Sequence, residues 1–267
     1  MRYTERCLVM FKLAKYDLKG CFKDFIIMVS TIIILNLALL TRINVWSSDA
    51  IFFLSLLIGI VASVVVLIWN ITIFSRDLYG DTSYLVFTTP KSGKNILMNK
   101  IVTAIIQCLI VSIIVGIFTV ILLQILKLTQ NFIALDITAL RQFINAFTPQ
   151  FWVLAILSVL AVYITFLLTV YLSVTLGRVA IKNRKFGKLG AFGIFILLSL
   201  VQVKLEDIFL NIFPQTFNLK VKNVNNIFID VLPSGIDLNI SLIVLSIIII
   251  VAMFYAIAYF IENKLDL

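Results

Sequence analysis

Six long stretches of this chain contain no Asp, Glu, Lys or Arg: residues 25–41, 50–75, 101–126, 142–177, 189–203 and 238–261. A helix needs about 20 apolar residues, range about 17–25, to cross the hydrocarbon of a bilayer. Inside that layer every backbone N–H and C=O must be satisfied within the protein, so runs of this length read as helices. Four runs exceed the requirement. The first, FIIMVSTIIILNLALLT, meets the lower limit, and the fifth, LGAFGIFILLSLVQV, has 15 residues. The fifth spans if Lys188 and Lys204 reach outward to the interfaces; otherwise it is re-entrant. Composition agrees: 62% of residues are hydrophobic and 13% charged, against about 45–50% and 25% in soluble domains. A cytosolic enzyme, a disordered chain and a secreted disulfide scaffold are excluded. The expected fold is an all-α polytopic membrane protein. It forms one transmembrane domain with spans at 25–41, 50–75, 101–126, 151–176, 189–203 and 238–261.

The charges orient these spans. With six crossings, segments 1–24, 76–100, 177–188 and 262–267 share one side and hold 16 of the 22 Lys and Arg residues. Segments 42–49, 127–141 and 204–237 hold the other 6. Basic residues in short loops stay cytoplasmic, so both termini are expected inside. The net charge of +9 falls on the cytoplasmic side. It is assigned to orientation and lipid headgroups, with no nucleic-acid partner. Trp46 and Trp152 fall at the outer interface and Trp69 near the inner one. Usage rich in Lys, Ile and Asn points to an AT-rich bacterial genome, and the expected location is a bacterial plasma membrane. The charged N-terminus lacks the short apolar core and cleavage site of a signal peptide.

The chain has no His and three Cys: Cys7, Cys21 and Cys108. His-based acid–base chemistry and most catalytic zinc sites are thereby excluded. No C-x-x-C pair points to zinc or redox chemistry. No catalytic, cofactor-binding or metal-binding residue is expected. The spans also lack the ionisable residues by which gradient-driven transporters couple. Their interior polar residues are neutral: Asn36, Asn70, Gln107, Gln124, Tyr163, Tyr171, Gln202 and Tyr255. Any uphill work would draw energy from outside the chain. Small residues recur at helical spacing: Ser55, Gly59 and Ser63; Ala104, Cys108, Ser112 and Gly116; Ala161, Thr165, Thr169, Ser173 and Gly177. They read first as helix-packing ridges, and second as the lining of a path.

Residues 4–23 form an amphipathic pattern. Cys7, Met10, Phe11, Ala14, Leu18, Cys21 and Phe22 share one face, with Lys12, Lys15, Lys19 and Lys23 beside it. This is expected to be a helix in the plane of the inner headgroups; a helical basic flank is the plainer reading. Segment 76–100 is the longest cytoplasmic loop between spans. A short helix is expected there, with Leu78, Thr82 and Leu85 on one face, Asp77, Asp81 and Tyr84 beside it, and Pro90 ending it. An ordinary solvated loop is the alternative. The run TTPKSGKN at 88–95 is not a phosphate loop, because Thr88 and Asn95 stand where Gly and Ser/Thr are required.

In this segment the chain resembles the membrane-spanning permease subunits of ABC transporters, specifically the ABC type 2 exporter family. Phe74, Asp77, Tyr79, Tyr84, Leu85, Phe87, Thr89, Pro90, Ser92, Leu97 and Lys100 carry the resemblance. It covers the whole chain in topology and about 25 residues in motif. It implies a cytoplasmic coupling helix between spans two and three, and an ATP-driven exporter. In that reading Arg76, Asp77, Leu78, Tyr79, Asp81, Tyr84 and Leu85 would contact a separate ATP-binding subunit that binds ATP and Mg. A second six-span permease, identical or related, would complete the pathway. The family also implies a re-entrant helix between spans five and six, for which 204–237 has room around Ile208–Phe213.

On the outer side, 127–150 carries Ile133, Ile137, Leu140, Ile144 and Phe147 at helical spacing, and 216–222 (TFNLKVK) alternates like a strand. Both read as structural lids. Two other readings remain. One is a gradient-driven, regulatory or structural membrane protein without an ATPase. The weaker one is an intramembrane enzyme, for which only a Ser/Lys arrangement with Lys188 or Lys204 is left.

Overall fold

The computed structural model describes residues 22–43, 45–79, 93–130, 147–180, 184–214, 216–220 and 235–263. Among them are six helices long and apolar enough to cross a membrane. They are α1 (Phe22–Leu40), α2 (Ser48–Tyr79), α3 (Gly93–Gln130), α4 (Pro149–Ala180), α5 (Arg184–Ile212) and α6 (Ile240–Asn263). Between α5 and α6 lies an antiparallel ribbon of β1 (Thr216–Lys220) and β2 (Gly235–Asn239), with Thr216 opposite Asn239 and Lys220 opposite Gly235. The described fold is thus helical but for this one ribbon. Its first strand falls inside the alternating run at 216–222.

Most helices outrun the charge-free stretches that announce them. At about 1.5 Å per residue, the 38 residues of α3 extend about 57 Å, well beyond a hydrocarbon core of about 30 Å. A backbone helix does not end where lipid ends; it ends where a cap or breaker intervenes. The fifth element shows this most clearly. The 15-residue run sits inside a helix of 29 residues, so the shortness that left a re-entrant segment open disappears. Lys204, Glu206 and Asp207 are exposed on its last turns, and Ile208–Ile212 continue the same helix. The expected outer segment therefore gives up its first nine residues to α5.

Helix starts follow the capping chemistry. The Ser47 carbonyl accepts from the Ile51 N–H at 3.2 Å, and Asp49 lies in the first turn of α2. Pro149 opens α4, where its missing N–H costs nothing. The Asn239 side-chain oxygen accepts from the Ser241 and Leu242 N–H groups at 2.9 and 3.4 Å, capping α6. The Asn239 amide and the Ser241 hydroxyl both donate to the Phe213 carbonyl, at 3.3 and 3.1 Å. The end of the ribbon thereby joins the end of α5 to the start of α6.

The chain forms two compact units. Unit 1 comprises Met1–Thr72 with Met98–Arg141, and unit 2 comprises Ile73–Leu97 with Gln142–Leu267. In unit 1, α1, most of α2 and most of α3 share two apolar clusters. Leu39, Ile43, Ile51, Leu122 and Leu126 form one; Ile32, Ala62, Val66 and Val111 form the other. The pairing of Val66 with Val111 and of Ile51 with Leu122 sets α2 antiparallel to α3, and α1 parallel to α3. Gly59 lies where a Cβ would stand 2.8 Å from Val115 Cγ1.

In unit 2, α4 packs on α5 and α6, and α5 on α6. Every residue of α4 from Leu167 to Thr175 is buried. Gln202 of α5 donates to Thr169 Oγ1 of α4 at 3.0 Å and lies 3.6 Å from Met253 Sδ of α6. One neutral amide thus ties three helices in a region where an unpaired one would cost several kcal/mol. Outward-facing Ile60, Val159, Leu189 and Leu200 are exposed. In an aqueous protein that would be a defect, but it suits a surface solvated by lipid.

Candidate functional site

The last turns of α2 carry the described part of the segment expected to couple. Phe74 and Leu78 share one face of the helix, and they and Tyr79 are all buried. Phe74 stacks on Tyr171 of α4, ring centroids 4.0 Å apart and planes 19° apart. The Tyr79 hydroxyl donates to the Val174 carbonyl at 3.2 Å. The Arg178 guanidinium lies 5.5 Å from the centre of the Tyr79 ring, within cation–π range of about 6 Å. Residues 74 and 79 of one helix thus meet 171, 174 and 178 of the other in the same order, so the two segments run parallel.

Two glycines make this contact possible. A Cβ on Gly177 would stand 2.8 Å from the Gly187 carbonyl oxygen and 2.9 Å from Ala191 Cβ. A Cβ on Gly187 would stand 3.1 Å from Tyr79 Cε1. The end of α4, the start of α5 and the Tyr79 ring therefore meet at backbone distance. At the start of α3, Gly93 packs on Ala258 and Ile261 of α6, and the Lys94 ammonium lies 5.1 Å from the centre of the Tyr255 ring. Both ends of the loop between α2 and α3 are consequently anchored in unit 2, near the C-terminal ends of α4 and α6.

Arg76 is exposed and Asp77 half-buried, whereas Leu78 and Tyr79 are packed inside the chain. Asp81, Tyr84 and Leu85 lie outside the described residues. So do Phe11, Lys12, Lys15, Leu18 and Lys19 of the expected surface helix. Its last two residues, Phe22 and Lys23, are exposed in the first turn of α1. Of the small-residue ridges, Ser55, Ala104, Thr169 and Ser173 are buried, and Ala161, Thr165 and Cys108 are half-buried. Ser63, Ser112 and Gly116 are exposed, and nothing lies within 4 Å of a Cβ on Gly116. The hydroxyls of Ser63, Thr165 and Ser173 donate back to their own helices, to the carbonyls of Gly59, Ala161 and Val170.

Unit 1 holds a second polar group. Asn99, Lys100, Thr103 and Gln107 are all buried along α3. Thr103 Oγ1 and both amide atoms of Gln107 have no hydrogen-bond partner, nor does the buried Ser55 hydroxyl of α2. Asn70 is buried and donates to its own Val66 carbonyl at 2.9 Å. The α2–α3 register brings Asn70 to the level of Gln107. Among the described residues no three His, Cys, Asp or Glu side chains converge. Ser55, Asn70, Thr103 and Gln107 offer neutral hydrogen bonding here, with the buried Lys100 on the same helix as Thr103 and Gln107.

No family model, curated protein or solved structure matches this chain. The reading of the site accordingly rests on its geometry. Sequence reasoning singled out Tyr79 and Gly177 separately. It missed that Arg178, Val174 and Gly187 join them. The one signal available was the pair Gly177 and Gly187, which bracket the short charged link between two apolar runs.

Proposed function

We propose that this chain is the permease subunit of an ATP-driven exporter akin to the ABC type 2 class. It sits in a bacterial plasma membrane with both termini cytoplasmic. The observation that supports this best is the anchoring at Tyr79. The loop that would receive a partner's push is tied at one end to α4 and α5 and at the other to α6, so displacement of the loop pulls directly on three helices. A separate ATP-binding subunit binds ATP and Mg, and this chain supplies no catalytic residue. A second six-span permease completes the pathway. The lysine-bearing segment 4–23 lies along the inner headgroups. Arg76 and Asp77 face the ATP-binding subunit, while Leu78 and Tyr79 transmit the motion inward.

The test is recovery of the tagged chain from native membranes in mild detergent. An ATP-binding subunit should co-purify and hydrolyse MgATP. Asp77→Ala should reduce its retention while membrane insertion stays intact. A preparation free of any ATPase would redirect the reading to a regulatory or structural membrane protein.

A further inference from the structure

A groove of about 520 Å³ runs between α1 and α2 of unit 1, and its walls are almost wholly apolar. Asp24 and Trp69 stand at one end, Leu35 and Leu57 at the other, with Ile27 and Val61 between. The Phe25 and Trp69 rings, 6.3 Å apart, fix which ends of the two helices coincide. From Asp24 to Leu35 the groove follows about 16 Å of helix at 1.5 Å per residue. One leaflet of a hydrocarbon core of about 30 Å is about 15 Å deep. The groove therefore begins at an interface, marked by an indole, and stops near the middle of the membrane.

We propose that this groove holds one acyl chain of an aminophospholipid, whose headgroup sits on Lys23 and Asp24. Both side chains are exposed, adjacent in sequence and opposite in charge. A zwitterionic headgroup matches them, its phosphate toward the Lys23 ammonium and its amine toward the Asp24 carboxylate. A membrane-crossing helix from a second copy would need a groove through both leaflets. Residues 1–21 carry seven charged side chains, and burying them along this apolar wall would be costly. The inference rests on the membrane-spanning fold alone, so it stands or falls independently of any ATPase partner.

The experiment uses the full chain reconstituted in vesicles of mixed phosphatidylethanolamine and phosphatidylglycerol, then released for native mass spectrometry. Wild-type chain should retain one phospholipid, with phosphatidylethanolamine favoured about five-fold, the size of one interfacial ion pair. Val61→Trp, which fills the middle of the groove from a lipid-facing position, should abolish retention. Ile60→Trp, on the adjacent exposed position outside the groove, should leave it unchanged. Asp24→Asn should keep a lipid but lose the preference. A photo-reactive residue at Val61 should crosslink to lipid. Equal retention in Val61→Trp, absence of lipid in the wild type, or a crosslink to residues 1–21 or to a second copy would each overturn the proposal.

Discussion

Glycine at 177 is the sharpest place to test the packing of unit 2, because the sign of the effect reverses between two helical glycines. In a helix interior Gly→Ala ordinarily stabilises by about 0.5–1 kcal/mol, since alanine loses less backbone entropy on folding. At Gly116 nothing lies within 4 Å of the added Cβ, so Gly116→Ala should show that full gain. At Gly177 the same Cβ would stand 2.8 Å from the Gly187 carbonyl oxygen, 2.9 Å from Ala191 Cβ and 3.1 Å from Ala191 Cα. None of these is the far end of a flexible side chain, so α4 and α5 must separate. Overpacking of this kind costs about 1–3 kcal/mol. Set against the propensity gain, Gly177→Ala should be net destabilising by about 0.5–2 kcal/mol. The separation would also loosen Gly187 from the Tyr79 ring. Thermal unfolding in mild detergent, followed by loss of the monodisperse peak, would place Gly116→Ala above the wild type and Gly177→Ala below it. If Gly177→Ala is as stable as Gly116→Ala, the backbone contact between α4 and α5 is wrong, and with it the seat of Tyr79.

Three further substitutions probe single interactions. Tyr79→Phe removes the hydrogen bond to the Val174 carbonyl and keeps the ring, and should cost about 0.5–1.5 kcal/mol in the same unfolding assay; a neutral result would remove that bond from the account. Gln107→Leu replaces a buried amide, 1% exposed and without partners, by an apolar group of similar size, and should stabilise by about 1–3 kcal/mol. Destabilisation would mean that water or another chain satisfies the amide. Asn239→Ala deletes the cap of α6 and the tie to Phe213, costing about 0.5–2 kcal/mol. Limited proteolysis should then cut first between α5 and α6, and an unchanged cleavage pattern would argue against the clip.

The order of the six helices that, among the described residues, are long and apolar enough to cross a membrane could be read from the placement of charge, because charge is costly at membrane depth. The helix ends could not. Lys204, Glu206 and Asp207 end a charge-free run, yet sit within α5, because a helix can continue into the headgroups with its charged side chains solvated. The first strand was legible in the alternation of TFNLK. Its partner GIDLN was not, since Gly, Asp and Asn are poor strand formers and its register is set by pairing with β1. Tyr79 stood out as an aromatic beside an acidic residue, which suits a docking surface. That its ring lies near Arg178 and Gly187 depends on residues about a hundred positions away, and local spacing carries no trace of them. Gln107 was visible as a neutral polar residue inside a span; its lack of partners is a property of the bundle.

The Tyr79 contact also sets a schedule for the newborn chain. Its acceptor, Val174, lies 95 residues further on. At a synthesis rate of about 5–20 residues per second, the end of α2 waits roughly 5–20 seconds for the helix it will pack against. During that interval the Phe74 ring lacks Tyr171 and the Tyr79 hydroxyl lacks its acceptor, while all the residues of unit 1 are present once residue 141 has been made. Unit 2 must then recruit a segment laid down long before.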